Sequence, residues 1–345
     1  MAARFEGWLF GPESPARLRV CRVGLLLVVA LRVAAPPYHE LGGQPRSLFD
    51  PPWFLTWLPT MPPGRSLVAL QAVGLLAVGL GLAGPARRRR VAFVVAWASL
   101  LVLAGLRASR GKIMHNDLLL LFACVPFLAG PFDGRSARDL KPSPAHGWPI
   151  RAAWVVVAVA YFRAGLGKLL TSGLEWVFSD NMRWIQLNAI RRGRAPTDVV
   201  STFVYERPWL AVSAAALLLA FELSAPLVLV SARFRVGFAL AAVGLHLGTW
   251  LTIGLDYSAW ALTVVLVLVD WPAVLRRTGL LGPQHHRGAE AGGPAGGKGR
   301  SGEGGKGHGD DEHGRRPRRQ EDLGRQRVGV GHEAPDGPPD HHAER

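Results

Sequence analysis

Residues 150–170 read IRAAWVVVAVAYFRAGLGKLL, an apolar run in which only Arg151, Arg163 and Lys168 carry charge. An α-helix rises about 1.5 Å per residue, and the hydrocarbon core of a bilayer is about 30 Å thick. About 20 helical residues therefore cross the core, and this run has that length. It predicts one transmembrane helix.

Seven other apolar runs lie along the chain, and short clusters of charge separate them. They cover residues 18–35, 66–84, 91–106, 113–130, 209–230, 236–255 and 258–274. The last run is short and spans a bilayer only if it tilts or if Trp271 anchors it in the headgroups. The sequence therefore predicts an all-α fold, a polytopic integral membrane bundle of about eight transmembrane helices.

Residues 281–345 have a different composition and are predicted to form a disordered tail. This segment is rich in Gly, His and Arg and almost free of aliphatic residues, so it cannot bury enough apolar area to offset the entropy of ordering. From residue 282 onward it holds 11 Lys plus Arg and 11 Asp plus Glu, so the net charge of +15 belongs to the transmembrane domain, residues 1–280. That basicity indicates membrane topology and does not predict nucleic-acid binding.

Neither the histidines nor the cysteines predict a metal site. Seven of the 11 histidines are scattered among glycines in the tail, and Cys21 and Cys124 lie in separate apolar runs. A thiolate zinc site or a dithiol redox centre needs closely spaced ligands. Buried structural cysteines are expected instead.

The basic clusters between apolar runs predict the orientation of the chain. Lys and Arg near helix ends are retained on the cytoplasmic side, and residues 87–90 are four consecutive arginines. With this turn inside, both termini face the cytoplasm and the protein is a multi-pass protein of the cell membrane. The loop 171–208 departs from the pattern because it carries five arginines on the opposite side.

Several polar residues occupy positions where lipid would penalise them. Charged groups inside a spanning helix are costly, so they usually face a cavity or a partner. Helix connectivity brings the start of the fourth run and the end of the fifth to the same membrane level, which predicts one polar cluster in the outer half of the bundle. Its members are His115, Asn116, Asp117, Tyr161, Lys168, Glu222 and His246.

Each of these residues also has a plain structural interpretation. Lys168 is either a partly dehydrated general base or a lysine that extends to the headgroups. His115, Asn116 and Asp117 could simply cap the start of the helix that they open. His246 could form an ordinary hydrogen bond between helices, and Glu222 could be a paired, purely structural carboxylate.

The fifth apolar run carries its polar groups on one stripe. Tyr161 and Lys168 are seven residues apart and therefore differ by only about 20° around a helix. Ala164 and Gly165 lie between them, and such small residues permit close helix packing or access for a flat ligand.

Residues 161–176, YFRAGLGKLLTSGLEW, together with the upstream His-Asn-Asp at 115–117, resemble the HTTM (horizontally transferred transmembrane) family. That family is related to the membrane domain of vitamin K-dependent gamma-carboxylase, and the resemblance covers most of residues 10–275. It implies that Lys168 is the base that acts on a reduced quinone of the vitamin K type, with Gly167 in the place of a preceding lysine. It also implies that His115 belongs to the reaction centre.

The resemblance leaves two classes of function open. In the first, the protein is a carboxylase-like or quinol-dependent enzyme of a bacterial inner membrane, with Lys168 and His115 as catalytic residues. In the second, it is a non-catalytic lipid-binding, immunity or export-associated membrane protein. A peptide substrate is not expected, because no counterpart of the carboxylase's large extracytoplasmic domain follows the helices and the tail cannot fold into one. The predicted partners are the lipid bilayer and a hydrophobic quinone or lipid, and protein partners stay open.

Overall fold

The computed structural model describes residues 2–110, 115–132 and 141–278, and the chain divides into two units, residues 1–285 and 286–345. The predicted tail, residues 281–345, lies outside the described residues. Within the described part the regular structure is helical, and its only β-type pairing is an isolated bridge between Glu13 and Ser143.

The described residues contain thirteen α-helices. They are α1 (Ala2–Leu9), α2 (Pro15–Ala34), α3 (Gly64–Ala83), α4 (Ala86–Ala108), α5 (Leu118–Ala129), α6 (Pro144–Ser172), α7 (Glu175–Phe178), α8 (Asn181–Arg192), α9 (Asp198–Tyr205), α10 (Pro208–Ser224), α11 (Ala232–Ile253), α12 (Ser258–Leu268) and α13 (Trp271–Arg277). A 3-10 segment, Ala225–Leu229, continues α10.

Five helices in the described ranges are long and apolar enough to cross a membrane: α3, α4, α6, α10 with its 3-10 continuation, and α11. A sixth is added if α12 and α13, which meet at a bend of 74°, count as one span. The two remaining predicted runs are also helical. However, α2 carries four arginines in 20 residues, and α5 has only 12 residues, which cover about 18 Å. The bent pair α12 and α13, together with α2 and α5, therefore accounts for the difference between the five spanning helices found and the eight expected.

The interior of the bundle is built around α2. Half of its 20 residues are buried, and it packs against α3, α4, α5, α6 and α12. By contrast, α11 buries only Phe238, Ala239, Ala242 and His246, although it is 22 residues long. Its outer face and those of its neighbours expose large apolar side chains, such as Leu240 at 69% and Leu217 at 71%. Such faces suit contact with lipid, as expected for a membrane protein.

The segment between α6 and α10 folds over one end of the bundle. Gly173, with a φ of 57°, ends α6, and the short helices α7, α8 and α9 follow it. α8 packs against both α10 and α11. Gly254 ends α11 with a φ of 66°, and a side chain there would overlap the carbonyl of Arg194. The loop after α8 and the loop after α11 are therefore in direct contact.

Candidate functional site

A cavity of about 540 Å³ lies beneath the short helices, between α6, α10, α11 and the segment that begins α12. Its wall includes five of the seven residues that the sequence predicts for one polar cluster: His115, Tyr161, Lys168, Glu222 and His246. Most of the remaining wall is aliphatic or aromatic. The structure thus brings together side chains that are up to 131 residues apart in the sequence, His115 and His246 being the outermost pair.

Lys168 and Glu222 form an ion pair at the cavity. The Nζ atom of Lys168 lies 2.5 Å from Oε1 and 2.6 Å from Oε2 of Glu222. The side chain of Lys168 is 20% exposed and that of Glu222 is 8% exposed, so both charges are largely removed from solvent. The ammonium group also lies 5.3 Å from the ring centre of Trp176 in α7. The lysine is held inside the bundle by a carboxylate and an aromatic ring.

The two small residues on the α6 stripe have different roles. Ala164 lines the cavity. Gly165 faces α10, and a Cβ atom built on it would lie 2.9 Å from the Cβ of Glu222. This close approach of α6 and α10 places the Glu222 carboxylate within reach of Lys168, one turn further along α6.

Tyr161 and His246 form a second polar pair in the cavity wall. The Tyr161 hydroxyl and Nε2 of His246 share a hydrogen bond of 2.7 Å, and both side chains are buried. The Tyr161 ring also makes edge contacts with Phe221, Phe238 and Trp260 at 5.3 to 5.4 Å between centroids. This packing fixes the orientation of both polar groups.

His115 and Tyr257 form a third pair, at the end of the cavity near the start of α5. The Tyr257 hydroxyl lies 2.6 Å from Nε2 of His115, and the Trp260 indole donates to the His115 carbonyl at 3.0 Å. The Tyr257 ring stacks on His246 at 5.4 Å. Burial raises the pKa of Tyr257, so the hydroxyl keeps its proton at neutral pH. Tyr257 thus connects the two histidines.

Asn116 and Asp117 do not line the cavity. The Asp117 carboxylate accepts from Nε of Arg32 at 2.6 Å and from Arg107 at 2.5 Å, and Arg32 also donates to Asp256 at 2.5 Å. Asn116 donates to the Asp256 carbonyl at 2.5 Å. Asp117 makes no side-chain capping bond to α5, so the capping interpretation is wrong for this residue. The network instead holds the segment that carries Tyr257 against α2 and the start of α5.

Sequence reasoning missed several residues of this region. Arg32 was visible as a charge inside an apolar run, and Arg107 and Asp256 as charges at the ends of runs. Tyr257 and Trp260 gave a weaker signal, because aromatic residues at the ends of spans are common membrane anchors. Their place in the cavity depends on how α12 packs, which the sequence pattern does not contain.

The cavity offers proton-transfer groups and an aromatic wall. A carboxylate and an ammonium group, two histidines and two tyrosine hydroxyls line one space. Such a set can bind a hydroxyl group and move its proton. Within the described ranges no three His, Cys, Asp or Glu side chains are grouped so that they could hold a metal ion.

Comparison of the chain with protein-family models, with curated proteins and with solved structures gave no significant match. Its function therefore has to be inferred from the cavity and the side chains around it.

Proposed function

We propose that this membrane protein binds a reduced quinone, or a similarly flat lipophilic hydroxyl compound, in the cavity and removes a hydroxyl proton with the Lys168–Glu222 pair. The observation that carries the proposal is the position of this pair in the wall of an otherwise largely apolar cavity. A lysine that merely reached for the headgroups would not need a buried carboxylate partner.

The residues of the cavity fit a ligand of this class. Trp176, Tyr257 and Trp260 offer ring surfaces, and Leu218, Leu245 and Ile253 are among the aliphatic residues that complete the wall. An apolar wall with a few convergent polar groups is typical of sites for small lipophilic ligands. When bound, a reduced quinone would supply a hydroxyl proton and two electrons.

The pair accepts the proton as a unit. In the resting state Lys168 is an ammonium group and Glu222 is a carboxylate, because they lie at hydrogen-bond distance in a poorly solvated site. Transfer of the lysine proton to Glu222 produces a neutral amine and a neutral acid, which an apolar site tolerates. The amine then takes the ligand proton. The pair ends with an ammonium group and a carboxylic acid, and the ammonium group stabilises the negative charge left on the ligand oxygen.

The remaining polar residues orient the ligand and these groups. His115 and Tyr257 share a hydrogen bond that can be redirected to a second ligand oxygen at the far end of the cavity. Tyr161 and His246 form a buried hydrogen-bonded pair in the same cavity wall as Glu222. Asn116 and Asp117 act from outside the cavity by holding the loop of Tyr257.

The wider proposal is an HTTM-like membrane domain with eight spans and both termini in the cytoplasm, in the cell membrane of a bacterium. The residue stretch 161–176 and the arginines at 87–90 support it. In this orientation the cavity opens in the outer half of the bundle.

The test is the oxidation of reduced menaquinone or vitamin K by dissolved oxygen, which accepts the two electrons, in proteoliposomes that contain the purified full-length protein. We expect Lys168→Arg to abolish turnover while still binding quinol, because guanidinium keeps the ion pair but stays protonated and cannot accept a proton. Lys141→Arg is the matched control, because Lys141 is exposed and lies outside the cavity. Ligand binding is followed by quenching of tryptophan fluorescence.

The outcomes separate the two classes of function. Turnover that requires Lys168 supports the enzyme. Saturable binding without turnover by the wild-type protein would assign the chain to the non-catalytic lipid-binding class. Full turnover by Lys168→Arg would remove Lys168 as the base.

A further inference from the structure

Helix α11 lies between the cavity of about 540 Å³ and the lipid-facing surface of the bundle, and different arcs of the helix face the two sides. Leu240 and Leu247 lie on the lipid-facing arc and are 69% and 52% exposed. Leu245 and Thr252 lie on the arc that lines the cavity. Gly244 lines the cavity and is itself exposed. The cavity therefore reaches the surface of the bundle at this glycine.

Helical geometry places a second glycine on the same boundary. Residues follow one another at about 100° around a helix, so Gly248 lies about 40° from Gly244 on one side and about 40° from Thr252 on the other. Both glycines line the cavity, and a Cβ atom built on either one would meet nothing within 4 Å. By contrast, a Cβ atom at Gly165 would press against Glu222. The two glycines of α11 therefore leave open space and do not serve helix packing.

Helix α10 forms the opposite side of this open space. Ala214 and Leu218 line the cavity, whereas Leu217, about 60° from Ala214 around the helix, is 71% exposed. Helix α11 packs mainly against α12 and the 3-10 segment that continues α10, and its contact with α10 itself is small. We call the resulting opening the lateral gap, and its borders are Ala214, Leu218, Gly244 and Gly248. All four lie within the continuous described range 141–278.

Two polar groups in the cavity wall lack a hydrogen-bond partner within the described ranges. Gln186 in α8 is 5% exposed, and its Oε1 atom has no partner. The indole Nε1 of Trp176 in α7 is likewise buried and without a partner. A buried polar atom left unpaired is costly. A hydroxyl group both donates and accepts, so a ligand that carries one is the kind of molecule that suits these two side chains.

We infer that an amphiphilic ligand enters the cavity sideways from the bilayer through the lateral gap, and that its hydrocarbon tail stays in the gap when its hydroxyl head lies among the polar side chains. The ligand class is thus a hydroxyl compound with a long apolar tail. Such a tail remains in contact with lipid, so binding does not expose hydrocarbon to water. The assignment of the head as a quinol rests on the proposed function, whereas the gap itself does not.

The first experiment tests the gap without any quinone. The full-length protein is reconstituted in phosphatidylcholine whose acyl chain ends in a photoreactive diazirine, and the cross-linked residues are mapped by peptide mass spectrometry. We expect cross-links at Leu218 and Leu245 in the cavity wall as well as at Leu76, which is 69% exposed on α3. The Leu76 cross-link reports on folding and reconstitution, because it lies outside the cavity wall.

Gly248→Phe is the test variant, because the new ring fills the gap from a position with open space around its Cβ. Gly237→Phe is the matched control, because Gly237 lies in the same helix with equally open surroundings but outside the cavity wall. We expect Gly248→Phe to reduce the cavity cross-links by about 5-fold or more and Gly237→Phe to leave them within about 2-fold of wild type. If Gly248→Phe fails to fold, Gly244→Phe fills the gap one turn earlier and decides the matter.

The second experiment tests where the tail lies. The binding rate of reduced menaquinone is compared with that of menadiol, which has the same ring system without the tail, and both are followed by quenching of tryptophan fluorescence. We expect Gly248→Phe to slow the tailed ligand by about 10-fold or more and menadiol by less than about 2-fold, because only the tail needs the gap.

The outcomes distinguish this inference from the proposed function. Cavity cross-links that are absent in the wild-type protein, or equally strong in Gly248→Phe and Gly237→Phe, would overturn the lateral gap and leave the proposed function standing. Cavity cross-links without binding of either quinol would support the gap and refute the quinol as ligand. Equal slowing of both quinols by Gly248→Phe would overturn the placement of the tail in the gap.

Discussion

The Nζ atom of Lys168 in α6 lies within 2.6 Å of both carboxylate oxygens of Glu222 in α10, although 54 residues separate the two side chains in the sequence. The pair joins two spanning helices inside the bundle. Loss of either partner leaves the other charge buried without compensation.

This pairing sets the stability of variants at both positions. We expect Lys168→Met to destabilise the protein by about 3 kcal/mol, because the Glu222 carboxylate then lacks its counter-ion. The double variant with Glu222→Met should recover most of that loss, since two apolar side chains can replace a buried ion pair. The measurement is thermal unfolding in detergent. A fully stable Lys168→Met protein would indicate instead that the lysine extends to the headgroups.

Two glycines in the same turn of α6 predict opposite effects of one substitution. A Cβ atom at Gly165 would lie 2.9 Å from the Cβ of Glu222, whereas a Cβ atom at Gly167 would meet nothing within 4 Å. We therefore expect Gly165→Ala to cost about 1 to 3 kcal/mol by forcing α6 and α10 apart. Gly167→Ala should be stabilising by about 0.5 kcal/mol because alanine favours the helix. Equal melting temperatures for the two variants would contradict the close approach of these helices.

The loop residue Asp256 predicts a pH dependence of stability. Burial raises the pKa of its carboxyl group, but hydrogen bonds from Ser258 and Arg32 and the positive charge of Arg32 outweigh burial and hold the pKa below the ordinary 3.8. A lowered pKa in the folded state contributes stability that is present above pH 3.8 and is lost as the pH falls through the folded-state value.

The corresponding variant is Asp256→Asn. We expect it to melt below wild type at neutral pH and the gap to close as the pH falls below 3.8 and through the folded-state pKa, because the wild-type carboxyl then becomes protonated in the folded protein too. Thermal unfolding over this pH range checks the prediction. A gap of constant size would mean that the ion pair with Arg32 is not its cause.

The orientation of the bundle can be tested with single cysteines. Cys21 and Cys124 are buried, so they leave little background for an impermeant thiol reagent. Ser47→Cys introduces an exposed cysteine in the connection between α2 and α3, and Arg88→Cys introduces one in the first turn of α4, at the other end of α3. With the arginine turn inside, Ser47→Cys should be labelled in intact cells and Arg88→Cys only after lysis. The reverse pattern would invert the topology.

Much of the architecture follows from the sequence because helix formation in a membrane is a local matter. A run of apolar residues must satisfy its backbone hydrogen bonds internally, so its length and composition suffice to predict a helix. All eight predicted runs contain helical residues in the described ranges, and five of the helices meet the requirements of a span. The relative depth of His115, Lys168 and His246 also follows from the order and direction of the helices.

The contacts between helices were decided by the tertiary structure alone. From the sequence, Asp117 is recognisable only as a polar residue before a helix. Its pairing with Arg32 and Arg107 depends on the rotation of α2 and α4 about their axes. Likewise, Gly165 could have faced a ligand or a neighbouring helix, and its packing against Glu222 became clear only from the position of α10. Local periodicity fixes which residues share a face of one helix. It contains no information about which two faces meet, because that depends on the packing of side chains far apart in the sequence.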